Sequence, residues 1–320
     1  MEQAPLHINS IALSPQHDRL VVGGPDGFCA VLPATSSSSG GEGVLLKGHV
    51  GDVLDCKWFP SGQVSPLRRR ELTLQVILTA SADCTIRIFA AQDGLNPRTL
   101  KGHTRAITST HIIGVGRQVL SASKDGTIRL WNVGEAKELQ QWSIERKRAV
   151  EGLIVLEDKD VLASMGMEGE ERIMLASTKD GVAVVPWTKP GWFVAKPEEA
   201  GHLLSMAYSP THQLLATGHS DGVIHLRRLG SLPPNGPMGP VGLIRRNESP
   251  IYSLSFSSSD LLVGTSAGLP CRLGLEVKDE TILVEVKQEY AGWEAVGVET
   301  WTEGNGSIWC AGGEGGIRRY

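Results

Sequence analysis

A turn led by aspartate recurs along this chain at intervals that only a repeated β-module would supply. It stands at Asp26-Gly27, Asp83-Cys84, Asp125-Gly126, Asp180-Gly181 and Asp221-Gly222, with degenerate copies at Ala267-Gly268 and Gly315-Gly316. Neighbouring copies lie between 41 residues (Asp180 to Asp221) and 57 residues (Asp26 to Asp83) apart. Asp-Gly between alternating apolar residues is a hairpin signal, because the favoured two-residue turn needs positive φ at its centre. Self-similarity on this scale decides a fold more firmly than composition does.

The fullest copy runs from Gly102 to Asn132, GHTRAITSTHIIGVGRQVLSASKDGTIRLWN. Ala106–Ile112 alternates apolar and polar residues, as a half-buried strand should. Val119–Ser123 reads as a second strand, and Thr127–Trp131 alternates again. Gly102-His103, Asp125 and Trp131 sit at the offsets of the WD-repeat signature. His103, Ser121 or Ser123, Asp125 and Trp131 are expected to form a hydrogen-bonded strut across the strands. The Gly-His pair returns at Gly48-His49 and Gly201-His202, and Phe89 follows Asp83 at the offset by which Trp131 follows Asp125. His49, Asp83, Asp180 and Asp221 are therefore expected to serve as struts in their own blades. Seven copies in 320 residues predict an all-β, seven-bladed WD40-type β-propeller forming a single domain over residues 1–320.

The end of the chain leaves one strand to find. Gly316–Tyr320 reads as the third strand of blade seven, with no fourth after it. Either Glu2–His7 supplies that strand from the N-terminus, or the last blade has three strands. Pro5 cannot donate to a strand ladder, which weakens such a clasp.

Composition narrows the function classes. A net charge of −4 supplies no global field for nucleic acid or an anionic membrane. No apolar run has the length of a membrane span. The N-terminal MEQAPLH lacks a signal-peptide core. The five cysteines, Cys29, Cys56, Cys84, Cys271 and Cys310, are odd in number and scattered. They read as small buried hydrophobes of a reducing compartment. The sequons at Asn247 and Asn305 read as chance matches.

Four insertions interrupt the repeat: Ser36–Gly43, Pro60–Gln75 (with Arg68-Arg69-Arg70), Glu157–Glu170 and Ser231–Pro240. Each joins a first strand to a second or a third to a fourth. Both connection types lie on the same end of an up-and-down blade. Such crowding marks either a binding surface or drift in exposed loops.

Several motifs invite a catalytic reading. Gly264–Gly268 (GTSAG) has the letters of a hydrolase nucleophile elbow, but an elbow needs a helix after it, and Cys271–Val277 reads as a strand. Ser121-Ala122-Ser123-Lys124 matches a serine–lysine motif without its companions. His103, Ser121 and Asp125 are the members of a triad, yet Trp131 makes them a strut. No metal spacing of Cys or His and no phosphate-cradling loop is present, so neither cofactor nor metal is expected. Arg68–Arg70 reads as a solvated loop.

Gly48–Gly62 (GHVGDVLDCKWFPSG), Ser81–Phe89 (SADCTIRIF), Gly102–Asn132 and the terminal Gly316–Tyr320 (GIRRY) together resemble the proteasomal ATPase-associated factor family of WD-repeat assembly chaperones. The likeness covers about a third of the chain, with Gly116–Thr127 and the tail its most specific parts. Cys84 departs from the family's turn glycine. Members usually carry a segment before the propeller, and this sequence starts almost at blade one.

The resemblance implies a non-catalytic, monomeric chaperone of the cytoplasm and nucleus. It would bind the C-terminal domain of an ATPase subunit of the proteasome base and delay its docking on the core particle. A generic WD-repeat scaffold, such as a ubiquitin-ligase substrate receptor, is the alternative. Contacts are expected on the face of short turns, beside each Asp turn and just before each first strand. Those positions are Asp52, Arg105, Lys124, Arg148, Glu151, Lys179 and Tyr252.

Overall fold

Apolar residues at every second position put alternate side chains on opposite faces of a strand, and β-branched residues fill those positions throughout the chain. A computed structural model describes residues 7–34, 43–60, 75–229, 242–267, 270–278, 281–291, 293 and 297–320. Residues 35–42, 61–74 and 230–241 lie outside that set, and with them most of three insertions, Arg68–Arg70 included; so do residues 2–6 of the expected clasp. Contacts divide the chain into two units, residues 1–143 with 302–320, and residues 144–301.

In the first unit, β1 (Ser10–Leu13), β2 (Arg19–Gly23), β3 (Cys29–Pro33) and β4 (Val44–Leu45) form one antiparallel sheet in chain order. The next sheet holds β5 (Val53–Trp58), β6 (Val76–Ser81), β7 (Thr85–Ala90) and β8 (Arg98–Lys101). The third holds β9 (Ile107–Ile113), β10 (Gln118–Ser123), β11 (Thr127–Asn132) and β12 (Lys137–Ser143).

In the second unit the sheets are β13 (Gly152–Leu156), β14 (Ile173–Thr178), β15 (Gly181–Pro186) and β16 (Trp192–Ala195), then β17 (Leu203–Ser209), β18 (Leu214–His219), β19 (Val223–Arg228) and β20 (Gly242–Arg245). The sixth sheet is β21 (Ile251–Ser257), β22 (Asp260–Thr265), β23 (Cys271–Lys278) and β24 (Thr281–Glu289). The seventh sheet has three strands, β25 (Val298–Gly304), β26 (Ser307–Gly312) and β27 (Ile317–Arg319), the last two within the first unit. Seven up-and-down sheets with these repeats make an all-β fold of the β-propeller type.

The two middle strands of a blade are buried on both faces, so they read as continuous apolar runs. β14 and β22 are buried at every residue. Facing sheets share cores. Val21, Cys29 and Val31 of the first blade pack with Val53, Cys56 and Phe89 of the second. Leu78, Ile86 and Leu100 pack with Val119 and Trp131. Ile8 and Leu20 share a cluster with Ala311 of the seventh blade, and the Ile8 N–H donates to the Gly312 carbonyl at 3.0 Å. His7 bridges Gly313. Among the described residues, then, the N-terminal segment meets the end of β26 and the last blade is three-stranded.

The insertion at Glu157–Glu170 is not a bare loop. It contains α1 (Lys159–Ser164), capped by the Asp158 carboxylate, which accepts the Asp160 N–H at 2.9 Å. Val161 and Leu162 enter the core between the fourth and fifth blades.

Candidate interaction surface

The third blade carries the strut in full. The His103 Nδ1 lies 2.8 Å from Asp125 Oδ2, and its Nε2 lies 2.7 Å from Ser121 Oγ. A carboxylate only accepts, so Nδ1 carries the proton and Nε2 accepts from the Ser121 hydroxyl. Trp131 Nε1–H then donates to Ser121 Oγ at 2.8 Å. The chain therefore passes through Ser121. Ser123 instead closes the turn: its hydroxyl donates to the Arg105 carbonyl at 3.0 Å and accepts the Asp125 N–H at 3.1 Å.

The second blade repeats the device with Thr79 in place of the serine. His49 lies 2.8 Å from both Asp83 Oδ2 and Thr79 Oγ1, and Phe89 sits edge-on to its ring. Burial would raise the Asp83 and Asp125 carboxylates. Hydrogen bonds from Thr85 and His49, and from Thr127 and His103, outweigh it and hold both below the usual range. Burial pushes both imidazoles down, with the paired aspartates offsetting part of the effect.

The aspartate-led turns need positive φ, in blade one as in the blades that carry struts. Asp26 and Gly27 have φ of 53° and 78°, and a Cβ on Gly27 would meet the His49 carbonyl oxygen at 2.1 Å. Cys84 holds φ 67° with a side chain, so its turn is strained where a glycine would not be.

Two expected struts differ. Asp180 has no histidine partner among the described residues; its carboxylate pairs with Arg148 at 2.8 Å and its side chain is 59% exposed. No Gly-His pair precedes that blade, so the aspartate meets a guanidinium instead. Asp221 does not pair with His202, whose side chain is exposed; it accepts the Gly201 N–H at 3.1 Å. Two histidines of this blade are buried, His225 and His219, and the one that reaches the Gly201 loop is His219. Its Nδ1 lies 3.0 Å from the Gly201 carbonyl and its Nε2 3.1 Å from Thr217 Oγ1. Arg227 stands six residues after Asp221, where the third blade has Trp131, and reaches His225 Nδ1 at 3.1 Å. Arg227 is 2% exposed and has no carboxylate in ion-pair range among the described residues. Burial lowers its guanidinium to about 10 and the His225 imidazole to about 4, the latter with help from His219 and Arg227. Sequence reading missed this because the outward-facing His202 carries the expected dipeptide.

The seven predicted contact residues separate into different roles. In the first unit, Asp52 and Arg105 are exposed and Lys124 is half-buried. Asp52 Oδ1 accepts the Asp26 N–H at 3.0 Å, and the Lys124 N–H donates to the Ala106 carbonyl at 2.9 Å, next to Arg105. In the second unit, Lys179 and Tyr252 are exposed and Glu151 is half-buried. Arg148 turns inward: besides Asp180, it stacks on Phe193 with its guanidinium 4.1 Å from the ring centre.

The struts also present residues that no motif marked. Asp83 accepts the Val50 N–H at 3.2 Å and Asp125 the Thr104 N–H at 3.1 Å. Val50 is thereby held with 86% of its surface in water. A single exposed apolar side chain is ordinary on a protein surface; the backbone N–H held by Asp83 beneath it is what distinguishes this one. The signal for it was its place, directly after the strut histidine.

The catalytic readings find no support in the geometry. His103, Ser121 and Asp125 are consumed by the strut. Ser266 follows β22, and the next described element is the strand β23, with no helix. Among the described residues no group of His, Cys, Asp and Glu could hold a metal ion. None of the five cysteines is in a disulfide among the described residues, and four of them are buried. No described helix is long and apolar enough to cross a membrane.

Comparison with known proteins agrees with the repeat. The family model "WD domain, G-beta repeat" matches residues 42–89, 94–132 and 196–227, so the chain carries WD40 repeats. A stretch of 102 residues is 37% identical to the 26S proteasome regulatory subunit RPN14 of Saccharomyces cerevisiae, covering 32% of this chain and 21% of that protein. A stretch of 228 residues is 25% identical to the guanine nucleotide-binding protein subunit beta-1 of Nicotiana tabacum, covering 67% and 55%. Periodic tryptophan protein 2 of Arabidopsis thaliana is 26% identical over 155 residues, covering 48% and 16%. The chain thus spans from 16% to 55% of the length of these relatives.

Proposed function

We propose that this chain is a non-catalytic protein-interaction module that assists assembly of the proteasome regulatory particle. It would do so as a monomer of the cytoplasm and nucleus, by binding the C-terminal domain of an ATPase subunit of the base. The observation that carries the reading is the 37% identity to a protein named as a 26S proteasome regulatory subunit. The motifs of blades two and three and the terminal GIRRY point the same way.

The geometry supports docking over chemistry. The strut carboxylates Asp83 and Asp125 hold the Val50 and Thr104 N–H groups, Ser123 holds the Arg105 carbonyl, and Asp52 holds the Asp26 N–H. Loops fixed before binding spare a partner the entropy of ordering them. Val50 offers an apolar anchor beside the charge of Asp52, the mixture found at the centre and rim of interfaces.

Affinity purification of the tagged chain from lysate, read by mass spectrometry, tests the proposal. Enrichment of base ATPase subunits is the expected result. Enrichment of a ubiquitin-ligase adaptor without them would replace it with the general scaffold reading.

A further inference from the structure

Cys29 and Cys56 stand 27 residues apart in sequence and on different blades, yet they share one core cluster of the first unit. Each is 2% exposed. Gly23 makes room for their approach. It lies directly opposite Cys29 in the β2–β3 pair, and opposed residues of antiparallel strands put their side chains on one face. That face is turned toward β5. A Cβ on Gly23 would lie only 2.8 Å from Cys56 Sγ. The sulfur of the second blade thus fills the space a side chain at position 23 would take, beside Cys29. The two thiols are hydrogen-bonded, which together with burial pushes the Cys56 thiol well above its ordinary range. Cys84, Cys271 and Cys310 lie outside this cluster.

A buried thiol without a neighbour that meets a peroxide stops at sulfenic acid or goes on to the irreversible acids. A thiol with a second sulfur beside it has a third course, condensation to a disulfide. Cys29 and Cys56 have that neighbour in each other.

We propose that Cys29 and Cys56 are a modification site, forming a reversible disulfide that staples the first blade to the second when the folded chain meets a peroxide. One thiol gives up its proton and attacks an oxygen of the peroxide; water leaves and a sulfenic acid forms. The second thiol attacks the sulfenic sulfur, the S–S bond forms and a second water leaves. Two electrons pass from the sulfurs to the peroxide, and an excess of small thiol reverses the link. The thiolate is the reactive form and burial opposes it, so the step should be slow. The staple needs no partner protein and is independent of the proposed proteasomal role.

Treatment of the folded chain with hydrogen peroxide, followed by catalase, alkylation in denaturant, trypsin and mass spectrometry, tests it. Trypsin releases Leu20–Lys47 and Gly48–Lys57, each with one cysteine. The two peptides should emerge joined, and should separate after dithiothreitol. Cys29→Ala and Cys56→Ala should each give no joined pair. The linked chain should melt at least about 4 °C above the reduced chain, a gain that both variants should lack. The inference fails if both cysteines remain open to alkylation after peroxide has consumed the less buried Cys84. It fails equally if both are recovered as sulfonic acids without a link, if the joined peptides form only when oxidation is carried out in urea, or if the linked chain melts no higher than the reduced one.

Discussion

The Asp55 carboxylate accepts both the backbone N–H and the hydroxyl of Thr110 at 2.7 Å, joining β5 of one blade to β9 of the next. The same stitch recurs between innermost strands with other residues. Ser10 Oγ accepts the Cys56 N–H at 3.0 Å, and Thr302 Oγ1 accepts the Leu13 N–H at 3.1 Å. In the second unit Ser205 donates to the Ile251 carbonyl and Ser253 to the Val298 carbonyl, both at 2.9 Å. Blades are thus joined by polar contacts near the strand centres as well as by their apolar layers.

Asp55→Ala should therefore destabilise the chain although it touches no strut. Its side chain is 14% exposed, and its loss leaves two Thr110 donors without this acceptor. The expected cost is about 1–3 kcal/mol, read as a lowered denaturation midpoint at unchanged m-value. An unchanged midpoint would show that water replaces the carboxylate without loss.

The struts should not be equivalent. Asp125→Ala leaves the His103 Nδ1 proton and the Thr104 N–H unpaired and should cost about 1–3 kcal/mol. Asp221→Ala should cost less, because His219 keeps its bonds to Gly201 and Thr217. Thermal unfolding of the two variants in parallel checks the order.

How much of this was legible follows from where each signal resides. The third-blade strut is local: His103, Ser121, Asp125 and Trp131 stand at fixed offsets within one repeat. The blade count was legible for the same reason, since turn residues mark each hairpin. The stitches were not, because Asp55 meets Thr110 only once two blades are set side by side, and Ser, Thr and Asp all serve the role. Blade five misled because Gly201-His202 has the expected letters while the buried imidazole that meets the Gly201 loop comes from His219. Arg227 held the tryptophan position unseen, since an arginine there is abnormal.

Arg227 is a buried cation without a carboxylate in range among the described residues, so removing its charge should not destabilise the blade. Arg227→Met should leave stability unchanged or raise it by on the order of 1 kcal/mol. A fall of several kcal/mol in urea unfolding would mean that its bonds to His225 and Thr217 outweigh its desolvation.

Acid should weaken the same blade first. The folded chain holds His225 near 4 against an ordinary 6.5, because burial, His219 and Arg227 oppose its charge more than Asp221 favours it. His219 is lowered as well, by burial first, and then by Arg227 and Lys196 against the pull of Gly201 and Asp221. The unfolded chain therefore takes up protons that the folded chain refuses. Stability is full above pH 6.5 and declines as pH falls toward 4. His225→Leu should flatten that decline between pH 7 and pH 5, a change read from denaturant midpoints at each pH.

Titration of purified C-terminal domains of the base ATPases, one at a time, against the chain and its Val50→Asp variant decides whether the strut-held loops are a docking surface. One domain should bind saturably, and Val50→Asp should bind it at least about tenfold more weakly at an unchanged melting temperature. Absence of binding by every domain, or equal affinity for both chains, would contradict docking of a base ATPase on these loops.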